Sequence, residues 1–249
     1  MVTGIFIHRY TAVALVGIIS LGCGYEYAKI THTSAINKYS TWLASVIGFS
    51  LPFLLSSFST FPILIWIGTA FVLLSILNLY TTSRIIPHGV LSPMIAFIYT
   101  GMILGLMGKY LLDVEEYKPL FLFSIFGLIW MSDSAAYIVG SQIGKTKLFE
   151  RISPNKTWEG SLGAGFFSFL LAIFIFYVNG TLSFTTWAII AIAVWVFGTY
   201  GDLVESSIKR EYKIKDSGSF MPGHGGFLDR FDSFIFVIPI VLLLLQYLN

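Results

Sequence analysis

Long apolar runs separated by short polar links organise this chain. Eight runs of bilayer length stand at about 8–25, 41–58, 61–80, 90–108, 119–140, 161–178, 185–201 and 233–248. A hydrocarbon core of about 30 Å takes roughly 20 apolar residues per helix. Lipid leaves no partner for unpaired backbone groups, so each run predicts a transmembrane helix. The links at Ser59-Thr60 and Asn179-Gly180-Thr181 suit tight hairpins. Two polar stretches break the pattern, Trp130 to Gly160 and Gly201 to Asp232. The expected architecture is all-α: a polytopic integral membrane protein with about eight transmembrane helices and two polar loops. One transmembrane domain covers 1–249, with N-terminal helices in 1–118 and the helices that carry the polar stretches in 119–249.

Composition agrees. The 249 residues are 56% hydrophobic and 11% charged, with a mean hydropathy of +0.81. A soluble domain carries about 25% charged residues, so that class is excluded. The single cysteine, Cys23, lies in an apolar run, cannot form an intramolecular disulfide, and reads as a small buried side chain. No small-residue cleavage site follows the first run, which therefore reads as a retained helix.

Charge placement sets the orientation. Of 15 basic residues, twelve fall on links after the first, third, fifth and seventh spans: Lys29, Lys38, Arg84, Lys145, Lys147, Arg151, Lys156, Lys209, Arg210, Lys213, Lys215 and Arg230. Arg9, Lys109 and Lys118 lie on the opposite face. The bias puts both polar loops in the cytoplasm and both termini outside. For Lys29, Lys38 and Arg84, orientation is explanation enough. His8 and Arg9 are expected to snorkel at the outer edge. Asp113, Glu115 and Glu116 read as a solvated turn, and His32 and His88 have no metal-ligand spacing. Pro52, Pro87 and Pro93 mark helix ends or kinks.

The stretch Gly201–Asp232 holds Asp202, Asp216, Asp229 and Asp232, five basic residues, His224 and the Gly223/Gly225/Gly226 cluster. Asp229 and Asp232 are three apart and share a face if the last span begins there. Carboxylates so placed bind Mg²⁺, which takes oxygen ligands together with waters and substrate phosphates. Lys209, Arg210, Lys213 and Lys215 provide a cationic wall, arginine gripping phosphate bidentately and lysine acting as a point charge. The glycines around His224 let backbone N–H groups approach a phosphate. A basic loop attracted to anionic headgroups explains the lysines but not the aspartates. Upstream, Asp133 is an ionisable group inside an apolar span, a costly placement that usually marks function. Ser153-Pro154-Asn155-Lys156-Thr157 precedes the sixth span. It offers a lysine flanked by hydroxyls at a helix N-terminus, a plausible anion site without P-loop spacing.

These residues resemble a known signature. Ser206-x-Ile208-Lys209-Arg210-x₄-Lys215-Asp216-x-Gly218, then Pro222-x-His224-Gly225-Gly226-x-x-Asp229-Arg230-x-Asp232, is similar to the pattern of the phosphatidate cytidylyltransferase (CDP-diacylglycerol synthase) family. Met221 stands where that family more often has Leu, Ile or Phe. Asp133-x-x-Ala136-Tyr137, Ser153 to Gly160 and Glu26-Tyr27 are also similar, so the likeness runs over roughly 5–249 and is densest after Trp130. The family usually has one further N-terminal helix, and this chain starts where its second would, in keeping with an N-terminus outside.

The resemblance implies transfer of CMP from CTP to phosphatidic acid, giving CDP-diacylglycerol and pyrophosphate. It places the activity in the cell (inner) membrane with the site on the cytoplasmic side, formed by the catalytic helices and loops of 119–249. It implies Asp202 and Asp229 as catalytic metal ligands, with Asp232 a third ligand or a neighbour of one. Mg²⁺ is the expected metal, and a second metal ion has room. Lys209, Arg210, Lys215 and Arg230 would hold the phosphates, beside Ser206, Gly225 and Gly226. Ser153, Lys156 and Thr157 would hold CTP, Asp133 would orient a ligand or the nucleotide, and His224 would contact phosphate. Partners are CTP, phosphatidic acid and membrane lipid, with no nucleic acid. A homodimer is in keeping with membrane enzymes of this size. A cytidylyltransferase for another lipid phosphate, such as an isoprenoid ether lipid, is the nearest alternative. A CDP-alcohol phosphotransferase would show a DG-x-x-AR run that this chain lacks. A transporter would place polar groups in interrupted helices near mid-membrane.

Overall fold

A computed structural model describes residues 2–32, 34–55, 60–81, 88–179, 182–218 and 225–248. The chain is essentially all-α, in the order α1 (Val2–Ile7), α2 (Arg9–Thr31), α3 (Ala35–Leu54), α4 (Thr60–Tyr80), α5 (His88–Ala96), a π-helical turn (Phe97–Met102), α6 (Ile103–Asp113) and α7 (Pro119–Ile143). Two short strands follow, β1 (Lys147–Phe149) and β2 (Ser153–Thr157), then α8 (Trp158–Asn179), α9 (Phe184–Glu211) and α10 (Leu228–Leu248). Seven described helices are long and apolar enough to cross a membrane, counting α5, the π turn and α6 as one. The eighth expected span exists as α3, which begins about six residues early. It takes in Asn37, Lys38, Ser40 and Thr41, so it is a less apolar helix than the others.

Tight approach of backbones explains how α3 fits. A side-chain carbon at Gly48 would collide with the Phe97 carbonyl, one at Gly101 with that of Ser45, and one at Gly105 with that of Phe49. In lipid the hydrophobic effect does not drive helices together, so small residues that admit close contact do that work. The hydroxyls of the same crossing satisfy one another. Ser20 donates to the Thr100 carbonyl (2.6 Å), and Thr100 donates to Ser45 (2.9 Å). Cys23 is fully buried in this core, as its apolar run suggests.

At the end of the bundle that holds the N-terminus of α2, Arg9 reaches across to the end of α6. Its guanidinium donates to the carbonyls of Leu112 (3.1 Å), Val114 (3.2 Å) and Glu115 (3.3 Å), satisfying orphan acceptors where α6 ends. His8 caps α2. Pro52 and Pro93 lie inside α3 and α5, and Pro87 and Arg84 fall outside the described residues.

The polar stretches differ from expectation in a way that shapes the site. The first contains an antiparallel hairpin, β1 against β2, that pairs Lys147 with Thr157 and Phe149 with Ser153. The second is largely helical: α9 runs ten residues past the expected end, and α10 starts five residues early. Charge ends a hydropathy signal but not a helix, since Glu, Lys and Arg are good helix formers. Asp202, Ser206, Lys209 and Arg210 therefore sit on the last turns of α9, and Asp229 and Asp232 on the first turns of α10.

Candidate active site

Two contacts of small residues bring α9 and α10 together. A side-chain carbon at Gly201 would lie 2.9 Å from the Asp232 carbonyl and 3.0 Å from Ser233 Cα, and Ser233 donates to the Gly198 carbonyl (3.0 Å). This approach sets Asp202 beside Asp232. Glu205, one turn along α9, completes a trio whose ligand oxygens all lie within 4.8 Å of one another. Sequence reasoning passed over Glu205, although Asp202, Glu205 and Lys209 share a helix face at spacings of three and four.

Asp229 lies outside the trio, and donors surround its carboxylate: Lys209 Nζ (2.7 Å), Gly226 N–H (2.8 Å) and Ser217 N–H (3.0 Å). Lys209 Nζ also stands 2.6 Å from Glu205 Oε2, so its ammonium bridges the two acids. Asp229, which the sequence pattern offers as a metal ligand, thus shares the Lys209 ammonium with Glu205 and lines the cavity beside Asp202 and Asp232. Gly225 has φ +84° and leaves room for Asp229 Oδ2, 2.8 Å from where its side-chain carbon would be. Gly225 thus makes room for Asp229, while Gly226 donates its N–H to it and lies against Glu26. His224 lies outside the described residues.

The hairpin supplies the facing wall. Lys156, on β2, pairs with Asp202 across the site. Thr157 is buried, and its hydroxyl accepts from Gly160 N–H (3.2 Å) at the start of α8. Side-chain carbons at Gly144, Gly140 and Gly160 would stand 2.6, 3.1 and 3.1 Å from that hydroxyl, so it occupies the point where α7 and α8 cross. Glu159 accepts from the N–H groups of Lys145 (3.0 Å) and Thr146 (3.1 Å), fixing the turn into β1. Arg151 donates to the Leu79 carbonyl (2.6 Å) and ties the hairpin to the end of α4.

Between these walls lies a cavity of about 310 Å³ lined by Asp133, Lys156, Thr157, Asp202, Asp229 and Asp232, with Tyr137, Asn155, Thr199 and Ser233 among the others. Asp133 is exposed to this space from α7. Ser206 donates weakly to Asp202 (3.4 Å). Ser153 sits in the hairpin, and Arg210, Lys215 and Arg230 are exposed outside the described lining. Arg210 donates to the Ile214 carbonyl (3.4 Å) where α9 ends.

The donor set fits a hard cation. Glu205 is fully buried, with the Lys209 ammonium 2.6 Å from its Oε2. The carboxylates at the site outnumber the ammonium groups of Lys156 and Lys209 that touch them. Clustered acids in low dielectric repel strongly unless a further positive charge joins them. Oxygen-only coordination suits Mg²⁺ or Ca²⁺ over softer metals.

One element from the N-terminal half reaches the site. Glu26 of α2 is buried, and its Oε2 accepts from Ser217 Oγ (2.9 Å) and from Leu228 N–H (2.9 Å), one of the free donors that begin α10.

Fold and site together define a multi-pass, all-α membrane protein that gathers carboxylates around a cavity at one end of its bundle. A family model described as the cytidylyltransferase family matches residues 1–248, and the chain belongs to that family. Phosphatidate cytidylyltransferase of Bacillus subtilis (strain 168) is 43% identical over 152 residues, covering 61% of this chain and 56% of that protein. The protein of the same name from Staphylococcus haemolyticus (strain JCSC1435) is 47% identical over 121 residues, 48% of this chain and 46% of the relative. That of Staphylococcus aureus (strain COL) is 44% identical over 122 residues, again 48% and 46%. The chain spans about half the length of the curated relatives it matches.

Proposed function

We propose that this protein transfers the CMP moiety of CTP to phosphatidic acid, giving CDP-diacylglycerol and pyrophosphate. The observation that carries the reading is the carboxylate trio of Asp202, Glu205 and Asp232 in a cytidylyltransferase-family chain: Asp202 and Asp232 line one cavity with Lys156 and Asp229, and Glu205 is buried behind them. The names of its relatives supply the lipid substrate.

The chemistry asks little of a general base. A phosphate monoester carries most of its second charge near neutral pH, so its oxygen is already a nucleophile. That oxygen forms a bond to the α-phosphorus of CTP while the bond to the β-phosphate bridge breaks, and pyrophosphate leaves with the electron pair. Positioning in line and neutralising charge account for the rate. Asp202, Glu205 and Asp232 would hold Mg²⁺, which neutralises charge on the phosphate oxygens when bound. Lys156 reaches the cavity from β2 and offers its ammonium to a nucleotide phosphate in exchange for Asp202. Lys209 bridges Glu205 and Asp229, keeping the acid set in register. Arg210, Lys215 and Arg230, exposed at the same end, supply a basic approach for two anionic substrates. The charge bias along the chain supports a cytoplasmic position for this end, where CTP is found.

The test uses purified protein in detergent with phosphatidic acid and α-labelled CTP, following label into the organic phase with and without Mg²⁺. Mg²⁺-dependent transfer that Glu205→Gln and Asp202→Asn both abolish is the expected result. Transfer that survives in both variants would overturn the metal assignment. A folded protein that labels another lipid phosphate but not phosphatidic acid would overturn the substrate.

A further inference from the structure

We propose that Glu26 is a positioning residue for this site, coupling the N-terminal helices to the acid cluster through a relay of hydrogen bonds. The proposal rests on the transfer reading above and deepens it. Glu26 grips the chain on both sides of the segment that joins α9 to α10: Ser217 through its hydroxyl and Leu228 through its N–H. One carboxylate oxygen thus fixes the separation of two points eleven residues apart. Two glycines make room for it, since side-chain carbons at Gly218 and Gly226 would collide with the Glu26 carboxylate. A turn earlier on α2, a side-chain carbon at Gly22 would lie 2.7 Å from the Phe227 ring, so the same face of the helix follows the segment.

The next links lead inward. The backbone N–H of Ser217, whose hydroxyl Glu26 holds, donates to Asp229, as does the N–H of Gly226. Asp229 receives Lys209, and Lys209 stands against Glu205 of the trio. Each link is a charge or a backbone donor with little freedom, so a shift at Ser217 or Leu228 reaches Glu205 through Asp229 and Lys209. A carboxylate is suited to the first link because a charged acceptor binds backbone donors more strongly than a neutral one.

The experiment compares wild type with Glu26→Gln and Ser217→Ala by two readouts. Hydrogen exchange of peptides covering 212–230 reports the relay whether or not the protein turns over. In Glu26→Gln, exchange there is expected to quicken about tenfold, as for loss of one buried hydrogen bond, while peptides from α4 and α8 stay unchanged. Lipid transfer measured against Mg²⁺ concentration is expected to show kcat down about 10–100-fold and a raised Mg²⁺ requirement, the size of effect that partners of metal ligands exert. Ser217→Ala, which removes one donor from the buried Glu26 carboxylate and leaves it the Leu228 N–H, is expected to shift both readouts the same way by less. Wild-type exchange in 212–230, or exchange that quickens equally across the chain with unchanged kcat and Mg²⁺ requirement per folded molecule, would overturn the proposal. A wild type that transfers no label would overturn the assigned reaction, and the exchange arm would still decide the role of Glu26.

Discussion

The helices of residues 2–113 and those of residues 119–248 differ in what their polar atoms do besides packing. In the first group, hydroxyls and glycines draw backbones together: Ser20, Ser45 and Thr100 satisfy one another where Gly48, Gly101 and Gly105 admit contact. In the second group, carboxylates and lysines face a cavity, and every described residue lining it lies between 132 and 233. The contrast teaches how a membrane protein adds charge to one half of a bundle that packs through small residues throughout. Lipid offers no hydrophobic drive between helices, so close fit must come from small residues, and charged groups are affordable only where they meet each other or water. Glu26 joins the two groups at the α9–α10 side of the site, as Arg151 does at the hairpin.

The comparison can be broken most severely at the trio. Asp232→Asn and Glu205→Gln are expected to lower transfer by on the order of 10²–10³-fold with the unfolding midpoint little changed, as measured by labelled CTP in detergent. Full turnover in Glu205→Gln would return its corner to Asp229. A change in the first group should do the reverse. Gly101→Val would force apart α3 and the π turn, costing about 1–3 kcal/mol in thermal or denaturant unfolding, with activity per folded molecule retained. An equal loss of kcat would mean the two groups are not separable. Lys156→Ala sharpens the second group internally. It is expected to raise the CTP KM about tenfold, or about 1.4 kcal/mol, with a smaller effect on kcat; an unchanged KM would remove Lys156 from the nucleotide. The smallest effect is expected at Lys109→Met, which loses an i,i+4 pair with the exposed carboxylate of Asp113 at the far end of the bundle. Such a pair is worth about 0.3–0.5 kcal/mol, so stability should fall by no more and transfer should be untouched.

Much of the helical order was legible because bilayer length is a strong filter on apolar runs. The starts of α4 and α7 stand within a residue or so of their expected places. What the filter could not see was structure beyond the apolar part. The extension of α9 to Glu211 carries the polar face of the site, and hydropathy falls silent at Asp202 although the helix continues. Glu205 was hidden for that reason: its meaning depends on a helix that the charges seemed to end. The hairpin was too short, and too rich in Ser, Pro and Asn, to announce strands. Aspartates 202 and 232 were legible as candidate ligands from residue type alone, but the partners that occupy Asp229 depend on two backbone amides that no spacing encodes. The role of Glu26 needed a contact over 202 residues of sequence.

The placement of Thr157 among Gly140, Gly144 and Gly160 carries a consequence for how this sequence can drift. Those four positions share one small volume, and the hydroxyl in its middle also satisfies the first turn of α8. A methyl at Gly140 meets that hydroxyl first, and shrinking residue 157 to admit it removes the cap and costs about 1 kcal/mol. Methyls at Gly144 and Gly160 meet the Gly140 and Ala136 carbonyls as well, so no change at residue 157 opens those two positions. Exchange at Gly140 therefore runs through a less stable protein, and the other two glycines stay closed. Lys156, next along the strand, inherits that constraint. Its reach into the cavity is preserved by neighbours that have nothing to do with phosphate.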